Sequence, residues 1–205
     1  MEYGPQGERV KLSRIRLSAG LDRRRICEGT AFLVLYALTI PAANWMIGHL
    51  GTVCPAGSPC LVPVAPGLMA PSGVVMAGLA LVLRDLVQRR LGAGASLAAI
   101  AAGAAISAAL APPAIVVAST AAFLLSELAD FAVYTPLQRR RFVTAVALSS
   151  LAGLVVDSGV FLYLAFGSLD FLLGQIVGKA WMVVLALPVA RWLRRRDERL
   201  GLVPA

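Results

Sequence analysis

The chain has 205 residues, of which 59% are hydrophobic and 15% are charged, with a formal net charge of +8 and a mean hydropathy of +0.79. Soluble domains average about 45–50% apolar and about 25% charged residues, so this composition excludes a water-soluble globular protein. It also argues against a basic nucleic-acid binder, because such a protein carries its charge on a folded polar surface. We therefore expect an integral membrane protein.

Six stretches are apolar enough to cross a bilayer, which takes about 20 residues of helix. Hydropathy, prolines and arginine runs place them at 29–50, 66–87, 93–111, 113–134, 142–166 and 171–191. The predicted fold class is an all-α integral membrane protein with six transmembrane helices. Its predicted domains are a basic tail (1–28), a six-helix transmembrane domain (29–192) and a second basic tail (193–205).

The basic residues predict the orientation of these helices. Of the 19 Lys and Arg residues, 18 lie at or beyond the ends of the spans on one side of the six-span arrangement, and the exception, Lys179, lies well inside the sixth span. The positive-inside rule makes that side cytoplasmic. We therefore expect a multi-pass protein of the plasma (inner) membrane with both termini in the cytoplasm. About 28 polar and basic residues precede the first apolar run, which predicts a solvated tail and not a cleaved signal peptide.

The loop opposite the basic side contains Cys54 and Cys60. An oxidising exterior permits a disulfide there, but spacing alone does not establish the geometry, so a disulfide and two free thiols are equally compatible with it. The following segment, 68–75, is either the entrance to a cavity or an irregular return into the membrane. The sole histidine, His49, has no neighbouring ligand, so we expect no metal site and no cofactor.

Small residues recur at every fourth position of the third span, and Gly174 and Gly178 repeat this spacing in the sixth. Small residues allow helices to approach closely inside a membrane, so both stretches predict helix packing. The third-span residues are Ala95, Ala99, Gly103, Ser107 and Ala111.

Polar residues inside the spans provide the functional argument. An ionisable side chain at the bilayer centre costs about 2.5–3.5 kcal/mol, so each must be paired, hydrated or functional. The candidate substrate-binding residues are Asn44, Glu127, Asp130, Asp157, Gln175 and Lys179, with Asp85 as a coupling or structural residue.

The spacing of these residues indicates which of them meet. Glu127 and Asp130 share one face of the fourth span, and Gln175 and Lys179 share one face of the sixth. Asp157 and Lys179 fall at similar depth at a rise of about 1.5 Å per residue, so we expect them to approach each other. For Asp85 we favour simple pairing with an arginine, Arg84 or Arg89, at the membrane interface.

Enzyme motifs are weak or absent. The run Gly174-Gln-Ile-Val-Gly178-Lys179 is one residue short of a phosphate loop and lacks the following Ser or Thr. The sequence contains neither Gly-x-Ser-x-Gly nor His-Glu-x-x-His. We therefore expect a protein that moves or captures a small solute and is not an enzyme.

Five segments together resemble the vitamin uptake transporter family, whose best-known branch is the YhhQ-like queuosine-precursor transporters. They are the run 70–87 with Arg84-Asp85, the run 126–137 with Ser126-Glu127-Leu-Ala-Asp130, Val156-Asp157-Ser158-Gly-Val-Phe161, Ala165-Phe166 and Gly178-Lys179, within a match over 70–191. The resemblance implies a six-helix importer of 7-deazaguanine precursors such as 7-cyano-7-deazaguanine. It also implies that Asp85 and the charged candidates above form the central site, and it suggests Asn44 as a further polar residue.

The expected function is therefore import of a purine-like small molecule by alternating access, with the lipid bilayer as the other partner and no nucleic acid. A homo-oligomer is compatible with the sequence. The ring N–H and amino donors of a deazaguanine suit a carboxylate, and its flat ring suits an aromatic side chain. The aromatic candidates are Trp45, Phe123, Phe161 and Trp181.

The alternative is the substrate-binding S-component of an energy-coupling-factor vitamin importer. Such subunits dock through alanines spaced four apart on the first span. The alanines of this first span do not have that spacing, which favours the transporter; they are Ala31, Ala37, Ala42 and Ala43.

Overall fold

The structure is a computed structural model that describes residues 5–54, 59–111, 113 and 115–202, with side chains described from residue 22 onward. The ends of the two predicted tails, and the side chains of Arg9, Lys11, Arg14 and Arg16, lie outside this part. The helices are α1 (Pro5–His49), α2 (Val74–Leu91), α3 (Ala93–Leu110), α4 (Val116–Leu137), α5 (Phe142–Phe166) and α6 (Leu172–Leu200). Strands β1 (Leu61–Ala65) and β2 (Leu68–Pro71) form an antiparallel hairpin before α2.

Five of the described helices contain segments long and apolar enough to cross a membrane, which confirms a helical, multi-pass membrane architecture. These segments are Asp22–His49, Ala93–Leu110, Val116–Leu137, Phe142–Phe166 and Leu172–Leu200. Helix α2 is not among them because its 18 residues include four charged side chains. The second predicted span therefore lacks the long, weakly charged apolar stretch that each of the other five contains.

The structure also differs from the sequence-based boundaries. Residues 68–71 of the second predicted span form β2, because Pro71 interrupts a helix here and α2 begins only at Val74. Gly67 adopts a positive φ of 73° in the hairpin turn, a conformation that glycine adopts without a steric penalty. At the two ends, α1 begins at Pro5 within the predicted N-terminal tail, and α6 continues through most of the predicted C-terminal tail to Leu200.

Helix α2 occupies the centre of the bundle. It contacts each of the other five helices, and none of its residues is exposed. The surrounding helices instead present large apolar side chains on the outside, for example Leu35 on α1, Leu151 on α5 and Leu185 on α6. The protein thus has charged groups inside and an apolar surface, which is the arrangement that a lipid solvent requires.

Small residues bring the helices together as predicted. Ala99, Gly103 and Ser107 of α3 are buried, and a Cβ atom on Gly103 would lie 2.6 Å from Cζ of Phe123 on α4. On α6, a Cβ atom on Gly178 would lie 2.6 Å from Cγ2 of Val74. Both small-residue patterns therefore lie at close helix contacts, which confirms the predicted packing.

Basic segments from several helices meet at one end of the bundle, which we call the basic end. Nε of Arg90 on α2 lies 2.9 Å from a carboxylate oxygen of Glu28 on α1, and Nη2 of Arg90 lies 2.7 Å from Oδ1 of Asp197 on α6. The guanidinium of Arg89 lies 3.9 Å from the ring centroid of Phe142, which starts α5. The β-hairpin lies at the opposite end, which we call the hairpin end.

Candidate substrate-binding site

A cavity of about 120 Å³ lies in the half of the bundle next to the hairpin end, and all six helices contribute to its wall. Its polar lining comes from the last turns of α1 and α3 and from the first turns of α4 and α6, together with Asp157 near the middle of α5. The polar lining residues are Thr39, Asn44, Ser107, Ser119, Asp157, Gln175 and Lys179.

Lys179 is the cation of this cavity, and protein acceptors occupy its ammonium group. Nζ of Lys179 lies 2.5 Å from Oδ2 of Asp157 on α5, which confirms the predicted approach of these two residues. Nζ also donates to Oγ of Ser158 at 2.7 Å and to Oε1 of Gln175 at 2.7 Å. An ammonium has three N–H donors, so these three acceptors use all of them. Lys179 therefore orients its neighbours and has no remaining donor for a ligand.

Polar atoms of Asp157, Gln175 and Asn44 on the cavity wall remain available to a ligand. Oδ2 of Asp157 accepts from Lys179, and no hydrogen bond within the described structure reaches Oδ1. Gln175 uses its carbonyl oxygen for Lys179, which leaves its amide N–H groups, and Asn44 donates Nδ2 to the carbonyl of Ile40 at 3.0 Å, which leaves its oxygen. The cavity thus offers a carboxylate acceptor, an amide acceptor and an amide donor.

Two of the four aromatic candidates lie at the cavity. Phe123 of α4 and Phe161 of α5 line its wall. Trp45 is exposed and stacks on His49, and Trp181 is exposed and donates its indole N–H to the carbonyl of Val64. The cavity therefore presents two phenyl rings to a flat ligand.

A second ionic cluster, which we call the Arg84 cluster, lies deeper in the bundle. The guanidinium of Arg84 contacts Asp130 at 2.6 Å, Asp85 at 2.9 Å and Glu127 at 3.2 Å. Arg84, Asp85 and Asp130 have no exposed side-chain surface, and the side chain of Glu127 is 2% exposed. Oγ of Ser149 donates to Oδ2 of Asp85 at 2.9 Å.

The Arg84 cluster begins one helical turn beyond the cavity, towards the basic end. Ala80 and Phe123 line the cavity, and Arg84 and Glu127 follow each of them by four residues, or about 6 Å along the helix. A further ionic layer of Glu28, Arg89, Arg90 and Asp197 lies at the basic end itself. The cavity is thus separated from the basic end by two layers of ion pairs.

The structure divides the predicted site residues into two groups. Asn44, Asp157, Gln175 and Lys179 line the cavity, whereas Asp85, Glu127 and Asp130 belong to the Arg84 cluster. The predicted pairing of Asp85 with Arg84 is confirmed at 2.9 Å, and the pair is fully buried in the bundle, where Arg84 also contacts Asp130 and Glu127. The sequence analysis named Arg84 only as a partner of Asp85 and missed its contacts with Glu127 and Asp130, although a cation inside the apolar run 74–87 was a signal that it is buried with partners.

The structure joins Cys54 and Cys60 in a disulfide, with 4.1 Å between their Cα atoms. The amide of Cys60 donates to the carbonyl of Ile47 at 2.8 Å, and the amide of Ser72 donates to the carbonyl of Cys60 at 2.9 Å. These bonds attach the base of the hairpin to the end of α1. Pro71 of β2 also lines the cavity, so the hairpin forms part of its wall.

In the described part of the chain, no group of three or more His, Cys, Asp or Glu residues is arranged to hold a metal ion. Comparison with known proteins gives one family match. Residues 104–193 match the family model described as "Putative vitamin uptake transporter". No curated protein and no solved structure matches the chain.

The matched segment covers the helices from within α3 into α6 and includes four of the charged residues described above. They are Glu127, Asp130, Asp157 and Lys179. Arg84 and Asp85 lie outside it. The apolar helices and this similarity together support a multi-pass membrane protein that is similar to the vitamin uptake family model over this segment.

Proposed function

We propose that the chain is a transporter of the vitamin uptake family and imports a 7-deazaguanine, such as 7-cyano-7-deazaguanine, across the plasma membrane. The observation that carries the proposal is the Asp157 carboxylate, which Lys179 holds at the wall of a cavity shared by all six helices. The family similarity over residues 104–193 gives independent support for transport.

The polar atoms of the cavity match the edge of a 7-deazaguanine. The ring N–H and the neighbouring amino group are two parallel donors, which the two oxygens of the Asp157 carboxylate can accept as a pair, because Oδ2 has a second lone pair besides the one that accepts from Lys179. The adjacent ring carbonyl suits the free amide N–H groups of Gln175. The flat ring system suits the phenyl rings of Phe123 and Phe161.

The charge of the cavity favours an uncharged ligand. Asp157 and Lys179 neutralise each other at 2.5 Å, so the cavity wall has no net charge. An ionic ligand would leave water without a matching countercharge, which is costly in a low-dielectric interior. A neutral heterocycle with several hydrogen-bonding groups avoids that cost.

The distribution of ion pairs suggests how transport proceeds. If the basic end faces the cytoplasm, as the positive-inside rule requires, the cavity lies towards the exterior and two ionic layers separate it from the cytoplasm. This is the arrangement of an outward-facing state. Alternating access then requires the Arg84 cluster and the layer at the basic end to separate before the substrate leaves.

The proposal is tested by uptake of labelled 7-cyano-7-deazaguanine in cells that lack their own importer. We expect the wild-type chain to restore uptake and Asp157→Asn to reduce it to the empty-vector rate, while Asp170→Asn leaves it unchanged. Asp170 is the matched control because it lies exposed in the loop before α6 and bonds only to Ser168 in the described structure. Wild-type uptake equal to that of empty-vector cells would overturn the substrate assignment.

The same experiment can be extended to distinguish a transporter from the S-component of an energy-coupling-factor importer. A capture subunit would also have a binding cavity sealed on its cytoplasmic side, but it would need an ATPase partner to release the substrate. We expect the purified chain alone, in proteoliposomes, to accumulate labelled substrate in the lumen. Binding without accumulation would favour the S-component.

A further inference from the structure

A surface groove with a volume of about 330 Å³ lies along the last turns of α6 at the basic end. It is separate from the cavity and shares no residue with it. Its wall consists of Pro188, Arg191, Trp192, Arg195, Arg196 and Arg199. Four guanidinium groups and one indole thus share a single groove.

Three of these arginines have no anionic partner in the part of the chain whose side chains are described. Arg191, Arg195 and Arg199 are exposed and lie four residues apart, so they share one helix face. Arg196 instead forms an ion pair with Glu28 and lies 5.3 Å from the ring centroid of Trp192. On the adjacent face, Arg194 is compensated by Glu198 at 2.8 Å. The groove therefore has an excess of positive charge.

The same helix face is apolar towards the hairpin end. Trp181, Leu185 and Trp192 are 54%, 63% and 59% exposed, and their spacing places them in line with Arg195 and Arg199. An exposed apolar strip along a transmembrane helix contacts acyl chains, and tryptophan at its end is typical of the membrane interface. The apolar strip continues into the basic groove. One face of α6 is therefore complementary both to the acyl chains and to the headgroup of a lipid.

We propose that this groove binds the headgroup of an anionic phospholipid, whose acyl chains lie along the apolar strip of α6. Guanidinium groups bind phosphate through paired hydrogen bonds, and basic pockets beside transmembrane helices recognise anionic headgroups. The free arginines supply the phosphate ligands, and Trp192 packs at the glycerol level. Arg196, held by Glu28, links the bound lipid to α1.

The test measures how many phosphatidylglycerol molecules the purified full-length protein retains in mixed phosphatidylglycerol and phosphatidylcholine micelles, by native mass spectrometry. The groove variant is Arg191→Gln/Arg195→Gln/Arg199→Gln. The matched control is Arg139→Gln/Arg140→Gln/Arg141→Gln, which removes three exposed arginines from the same end of the bundle. We expect the groove variant to retain about tenfold less phosphatidylglycerol and the control to change by less than about twofold.

Equal losses in the two variants would show general charge attraction, and an unchanged groove variant would show that no site exists; each result overturns the proposal. Displacement of phosphatidylglycerol by equimolar inorganic phosphate would assign the groove to free phosphate instead. A membrane-impermeant maleimide on the exposed Cys27 reports whether each variant keeps the wild-type topology. If the groove variant inverts, Trp192→Ala, which retains every charge, serves in its place with the same expected loss of lipid.

Discussion

The Arg84 cluster and the cluster around Lys179 differ in charge balance and in access to ligand. In the Arg84 cluster, one guanidinium faces three carboxylates, and the group lies wholly inside the bundle. In the cluster around Lys179, one ammonium faces one carboxylate, and Asp157 keeps 20% of its side chain exposed at the cavity. Both clusters contain charged residues that the sequence marks as candidates, yet only the cluster around Lys179 lines a cavity that a molecule can enter.

The comparison teaches that a charged residue inside a membrane protein is not by itself a binding residue. A buried charge needs a countercharge and hydrogen bonds to be tolerated at all, and Arg84 supplies these for three carboxylates at once. Around Lys179 the charges already balance, so the unused carboxylate oxygen is available to a ligand. Access and unused hydrogen-bonding capacity, more than the number of charges, distinguish the proposed site from the Arg84 cluster.

The largest expected effect comes from Arg84→Met, which would leave three buried carboxylates without their cation. Removing one partner of a buried ion pair costs about 3–5 kcal/mol, so we expect this variant to unfold or to fail to accumulate in the membrane. The measurement is folded yield and thermal unfolding of the detergent-solubilised protein.

Two variants sharpen this result. Arg194→Met removes a cation from an exposed pair and is expected to change stability by less than about 1 kcal/mol. Glu127→Gln is also expected to cost little, because the Arg84 cluster has more carboxylates than cations. If Arg84→Met proves as stable as these two variants, the cluster does not hold the helices together.

The next variant tests whether substrate binding is lost while the protein remains folded. Asp157→Asn removes the carboxylate that faces the cavity, but Nζ of Lys179 keeps its bonds to Ser158 and Gln175. We expect a loss of about 1–3 kcal/mol in stability together with complete loss of substrate binding, measured on the purified protein. Full binding of 7-cyano-7-deazaguanine by a folded Asp157→Asn protein would contradict the assigned site.

A smaller effect is expected from Gly78→Ala at the contact between α2 and α6. A Cβ atom there would lie 2.5 Å from the backbone oxygen of Lys179, so α6 must shift and displace the ammonium group. Overpacking of this kind costs about 1–3 kcal/mol, and we expect reduced substrate affinity in a binding titration. Gly159→Ala is the matched control, since its added Cβ would meet no atom within 4 Å outside the adjacent residues and the nearby backbone of its own helix.

The smallest effect is expected from Cys54→Ser/Cys60→Ser. The disulfide closes a loop with a sequence separation of six residues, and a loop this short gives about 2 kcal/mol or less in the chain-entropy view. The hairpin keeps its backbone bonds to α1, so we expect a modest fall in thermal stability with uptake retained. Abolished uptake in a folded variant would show that the hairpin takes a direct part in transport.

Much of the architecture could be predicted because hydrophobicity is a local property of the chain. Apolar runs predicted the five helices that are long and apolar enough in the structure to cross a membrane. The small residues of α3 predicted its packing face. The second predicted span was the exception: prolines near 63–71 favoured a hairpin over a helix, and the charged residues of α2 are tolerated only because other helices surround it. That protection depends on neighbours that are distant in sequence.

The amino-acid sequence alone indicated that this protein folds in a lipid bilayer, that it is helical, and which polar residues are candidates for a site. It also predicted the approach of Asp157 and Lys179. These follow from composition, spacing and helix depth. Only the tertiary structure decided that Glu127 and Asp130 pair with Arg84, and that Asp157 faces the cavity. The physical reason is that helix periodicity fixes the face on which a side chain lies, whereas its partner and its access to space depend on how the helices pack.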